Sequence, residues 1–160
     1  MVERVIGPDG WFAHIGTHAH EFGHLIGFAD EYCIQDCSNA GGTSTVEFDL
    51  MAFGFANGPN LGSCPAFPNP YYRINCGWVT PTLLDRDATN LTVGYNYEDP
   101  IYYRINPVNR NTRFPHDEHF LFETRLHRGT FDLYTPTAPQ DSNFQSGTLL
   151  VWRTNPELIE

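Results

Sequence analysis

The stretch His20-Glu21-Phe22-Gly23-His24-Leu25-Ile26-Gly27-Phe28-Ala29-Asp30-Glu31-Tyr32 constrains this chain more than any other part of it. Read as H-E-x-x-H-x-x-G-x-x-D, it dictates a path for the backbone before it suggests any chemistry. His20 and His24 stand four residues apart, so on a helix they share one face, a turn above each other. Gly27 falls three residues later, where a helix can stop in left-handed backbone that glycine adopts without steric penalty. The chain then reverses, and Asp30 can come back beside the two imidazoles.

Two imidazoles and a carboxylate are donors that hold a zinc ion, and three protein ligands leave a fourth position for water, as in catalytic sites. Glu21, next to the first histidine, projects beside the ion, where a carboxylate can take a proton from water. A bare H-E-x-x-H is common; Gly27 and Asp30 at their offsets make the pattern specific. Two alternatives for the third ligand stay open. The adjacent Glu31 can substitute if Asp30 only turns the chain. A class of zinc peptidase that draws a glutamate from a later helix would use Glu47, although Val46 and Phe48 do not read as helical. His14 and His18 are also four apart, but no glutamate follows His14 and they lie on another helix face. They read as supporting or surface groups. Met51 sits in Asp49-Leu50-Met51-Ala52-Phe53-Gly54, where a methionine turn would give the imidazoles a soft apolar floor without coordinating.

Around these motifs the chain divides by pattern. Phe12, Ile15, Ala19, Phe22 and Ile26 recur at helical spacing and predict a helix over 12–26. Gly16 and Gly23 each weaken it by up to about 1 kcal/mol, so close packing has to replace propensity there. Residues 34–45 and 57–70 read as irregular, with a short helix over 71–78. Beyond about residue 88, Leu91–Val93, Ile101–Ile105, His119–Leu126 and Thr148–Arg153 are β-branched, aromatic and alternating, divided by turn residues. Residues 134–147 read as a surface loop. The expected fold class is α+β, with a zinc-binding portion over 1–88 and an antiparallel β-rich unit over 89–160.

Charge narrows the partners. The 160 residues carry a formal charge of −10, and all nine basic residues are arginine. That balance argues against nucleic acid and anionic membrane surfaces. No segment reaches the roughly 18 apolar residues of a membrane span, and the first residues lack the apolar core of a signal peptide. Cys33, Cys37, Cys64 and Cys76 are even in number, which suggests two disulfides formed in an oxidising compartment. The local pairing, Cys33 with Cys37 and Cys64 with Cys76, is favoured over buried thiols or a second metal site. A secreted protein without a leader is expected to be a piece of a longer chain. Asp85, Asp87 and Asn90 fall close enough to admit calcium as a second ion.

Four segments in order resemble the metzincin peptidases, and within them the immune inhibitor A-like secreted bacterial metallopeptidases. They are 20–32, then 49–54, then Cys76-Gly77-Trp78-Val79, then Phe122-Glu123-Thr124-Arg125 with Gly147-Thr148-Leu149-Leu150-Val151-Trp152. The resemblance implies the C-terminal part of a metzincin-like catalytic domain, with zinc on His20, His24 and Asp30 and a methionine turn at Met51. It implies Glu21 as general base in hydrolysis of internal peptide bonds of a polypeptide substrate, outside the cell. Cys76 replaces a usual leucine, and Arg153 stands where histidine is common. Metzincins also bind substrate along an upstream sheet, whereas 19 residues precede His20 here. The competing expectation is a catalytically inactive fragment whose β layer binds proteins or glycans. Oligomeric state stays open.

Overall fold

The structure is a computed structural model that describes residues 13–32, 46–85, 87–94, 102–106, 118–126, 131–135 and 147–155. Its architecture is mixed α+β: helix α1 (Ile15–Leu25), 3-10 turns at Val46–Phe48 and Phe53–Ala56, helix α2 (Pro70–Asn75), and strands β1 (Thr82–Leu84), β2 (Tyr103–Ile105), β3 (His119–Leu126) and β4 (Gly147–Thr154). Two compact units result. One comprises Met1–Asn69 and His127–Thr137, the other Pro70–Leu126 and Ala138–Glu160. Among the described residues no helix is long and apolar enough to cross a membrane.

In the first unit, α1 occupies the expected place, and Phe12 lies outside the described residues. The apolar recurrence that signals this helix faces solvent: Ile15, Phe22 and Ile26 are exposed, while Gly16, His20 and Gly23 are buried. The glycines explain the inversion. A Cβ on Gly16 would lie 1.9 Å from the Phe55 carbonyl oxygen, and one on Gly23 would lie 2.5 Å from Met51 Sδ. The helix therefore packs backbone-first against 51–62, with Gly16 N–H donating to Gly62 O at 2.9 Å. Gly27 ends it at φ 96°. Gly27 N–H donates to His24 O at 3.1 Å and Phe28 N–H to Gly23 O at 3.0 Å, the paired bonds of a Schellman stop.

The turn at 49–52 is tied from several sides. Ala52 and Gly54 N–H both donate to Asp49 O at 3.0 Å, and Leu50 N–H donates to Phe67 O at 3.1 Å. The irregular 57–69 stretch is held by backbone bonds within itself and to the preceding turn: Gly62 and Cys64 donate to Asn57 O, and Ala66 donates to Gly54 O. Phe67 meets Phe131 at 5.1 Å between ring centroids. Cys64 is a buried thiol whose Sγ lies 3.6 Å from Phe131 O, and Cys76 is an exposed thiol. The favoured pairing of these two cysteines is therefore not formed; Cys33 and Cys37 lie outside the described residues.

In the second unit the strands follow the order β1-β2-β3-β4. β2, β3 and β4 pair antiparallel, with Phe122 opposite both Tyr103 and Val151. β1 pairs parallel to β2, so the sheet is mixed rather than antiparallel. Residues 85–102 give the long connection that a parallel pair needs. Leu91–Val93, expected as a strand, lies outside any strand, and β1 forms where the sequence shows no alternation. Along β3 the inner face carries His119, Leu121, Glu123 and Arg125, all buried. Glu123 accepts from Arg73 of α2, from Arg125 at 3.0 Å and from Trp152 Nε1 at 2.8 Å, while Arg73 also donates to Tyr102. A buried carboxylate is tolerable only with this degree of pairing.

Candidate metal centre

Helix periodicity and the stop at Gly27 converge on one cluster. His20 Nε2 and His24 Nε2 lie 3.2 Å apart. Asp30 Oδ1 lies 3.2 Å from the first and 3.3 Å from the second. Among the described residues this is the group of histidine, cysteine and acidic side chains whose donor atoms approach closely enough to share an ion.

The other nitrogen of each ring decides what these three atoms present to one another. His20 Nδ1 lies 2.9 Å from the Leu50 carbonyl oxygen, and His24 Nδ1 lies 2.9 Å from the Phe28 carbonyl oxygen. A carbonyl can only accept, so both rings carry their proton on Nδ1, and in the neutral form both Nε2 atoms present lone pairs. Asp30 Oδ1 is buried and receives no hydrogen bond in the structure. Three lone pairs thus face one point. A proton on one Nε2 can bridge one pair; a divalent cation satisfies all three. Zinc bonds of about 2.0–2.2 Å in a tetrahedron put neighbouring donors about 3.3–3.5 Å apart. The observed 3.2–3.3 Å spacing fits that shape. Backbone carbonyls on the far ring nitrogens are also the usual outer partners of metal-binding histidines.

The surroundings are apolar below and aromatic to one side. Met51 is fully buried, its sulfur and terminal carbon against Gly23 between the histidine positions. Phe55 lies 4.8 Å from the His20 ring. Tyr32 stacks 6.2 Å from His20 and 5.5 Å from Phe53. Burial, the charge of Asp30 and a hydrogen bond to Asp30, with a smaller push from Glu21, raise the Tyr32 phenol above its ordinary value. A hydroxyl that stays protonated donates to Asp30 and steadies the carboxylate. In the sequence Tyr32 is marked only by its place two residues after Asp30. Glu21 is exposed on α1, one residue beyond His20, and its charge reaches Tyr32.

The alternatives fall elsewhere. Glu31 ties the returning chain through its backbone, donating to Met51 O at 2.8 Å, and its carboxylate is not in the cluster. Glu47 lies in a 3-10 turn, outside the cluster. His14 caps α1 from extended backbone and His18 is exposed on it. Asp85, Asp87 and Asn90 lie in exposed chain between β1 and β2, and neither aspartate joins a metal-sized cluster among the described residues. Comparison with protein-family models, with curated proteins and with solved structures gives no match to this chain.

Proposed function

We propose that this chain carries the zinc site of an extracellular metalloendopeptidase of metzincin type, with His20, His24 and Asp30 as ligands. The observation that carries the reading is the set of three converging lone pairs, with both Nδ1 protons spent on carbonyls. Zinc held there would supply Lewis acidity, polarising a carbonyl and making water acidic enough to attack near neutral pH. The remaining chemistry belongs to the chain. Glu21 accepts the proton of the attacking water and delivers it to the departing amine as the C–N bond breaks; the water oxygen ends in the new carboxylate. Tyr32 holds Asp30, and Leu50 O and Phe28 O keep both imidazoles in the tautomer that binds metal. Met51, Phe55 and Phe53 present apolar surface around the centre, which lowers the local dielectric and strengthens each of these polar contacts.

Zinc analysis and cleavage of casein by the purified chain, with and without chelator, test the proposal. Glu21→Gln should keep its zinc and lose at least about 100-fold in cleavage. Cleavage that survives the substitution would remove Glu21 as the base. Zinc binding with no cleavage by the parent would favour a binding module instead.

A further inference from the structure

We propose that Asp49 is a positioning residue for this centre, setting two of the three ligands through a single turn; the inference rests on the metal-site reading above. The Asp49 carboxylate is fully buried. Its Oδ1 accepts from Met51 N–H at 3.1 Å and from Asn69 N–H at 3.1 Å, and its Oδ2 accepts from Asn69 Nδ2 at 2.7 Å. The carboxylate therefore pins residue 51 to residue 69 and shapes the backbone between 49 and 52.

Both carbonyls of that short stretch accept from the ligand-bearing segment, one from a ligand and one from the residue after a ligand. Leu50 O receives the His20 Nδ1 proton. Met51 O receives Glu31 N–H at 2.8 Å, one residue past Asp30, so it sets where the returning chain presents its carboxylate. The Met51 side chain, from the same turn, packs against Gly23. A shift of a few tenths of an ångström at 50–51 would move the acceptor of one ligand and the anchor of another together. Asp49 and Asn69 touch none of the three donor atoms themselves. Their influence passes through main-chain carbonyls, which is how outer partners orient metal-binding histidines.

The test uses the full chain. Zinc affinity is measured by chelator competition, and imidazole nitrogen NMR of the metal-free protein reports the His20 tautomer. Asp49→Asn keeps the volume but sets an amide N–H₂ against the Asn69 N–H₂. It should weaken zinc binding about 10-fold or more and erode the Nδ1–H signature of His20. Combining Asp49→Asn with Asn69→Asp restores donor opposite acceptor and should recover both readouts. Parent-like zinc affinity and tautomer in Asp49→Asn would overturn the proposal, as would a loss that the exchanged pair fails to recover. A parent that binds no zinc would sink the metal reading instead, and the metal-free His20 signal would still judge Asp49 on its own.

Discussion

Gly23→Ala sets two effects of known size against each other at the floor of the candidate centre. In a solvent-facing helix position the change would stabilise by up to about 1 kcal/mol, because alanine loses less backbone entropy. Here the new methyl would lie 2.5 Å from Met51 Sδ, 3.2 Å from its Cε and 3.3 Å from Phe28 Cδ2. Comfortable contact between such atoms begins near 3.5 Å, so the sulfur has to retreat by roughly 1 Å. Met51 has no exposed surface to retreat into, and overpacking of this kind costs about 1–3 kcal/mol. Set against that gain, the net expectation is destabilisation by up to about 2 kcal/mol.

A double-mutant cycle makes the claim sharper. Met51→Ala alone should cost about 2–5 kcal/mol by opening a cavity. In that background the Gly23→Ala methyl enters vacated space, so the second change becomes neutral or stabilising and the coupling reaches about 1–3 kcal/mol. Amide hydrogen exchange over α1 is the suitable assay, because it reads the unit that holds the helix rather than the sheet. Slower exchange in Gly23→Ala, or costs that simply add, would refute the packing account.

Glu123 should govern acid stability of the second unit. Burial pushes its carboxyl up, but Arg125 and Arg73 outweigh that and hold it below the usual value. A lowered folded pKa means stability that is full above the unfolded value near 4.3 and lost as pH falls through the folded one. Glu123→Gln should cost about 3–5 kcal/mol near neutrality by leaving two guanidiniums without their anion, and should flatten the loss below about pH 4.3 in denaturant titrations. At the candidate centre, UV difference titration of the metal-free protein should show Tyr32 ionising above the ordinary tyrosine value near 10. Asp30→Asn should bring that midpoint down, since it removes both a charge and the carboxylate acceptor; an unmoved midpoint would mean that burial alone holds the phenol.

What the sequence revealed, and what it did not, follows from the range of each interaction. The spacing of His20 and His24, the stop at Gly27 and the return of Asp30 depend on backbone rules that act within a few residues, so they were legible. β3 was legible for the same reason, its bounds set by alternation. The interior face of β3 was not. Charged residues at alternate positions ordinarily mark the solvent side, yet Glu123 and Arg125 are buried, and the partner that makes this tolerable, Arg73, stands 50 positions away. Burial of α1 by its glycine face was hidden likewise, because a glycine shows its value only against the backbone it meets.

The candidate centre carries the same division inside itself. Its ligands are side chains, and a pattern of residue types can name them. The acceptors that fix the imidazole tautomers are the carbonyls of Leu50 and Phe28, which every residue type possesses. Neither side chain records that duty, and replacing either leaves the acceptor in place. Only residues that bend the backbone to those points can alter them: Gly27, which turns Phe28 inward through the helix stop, and Asp49, which shapes the turn that carries Leu50. The pattern H-E-x-x-H-x-x-G-x-x-D contains the first of these and lacks the second. A chain could thus keep all the motif residues and still hold metal poorly, if the turn at 49–52 lost its carboxylate.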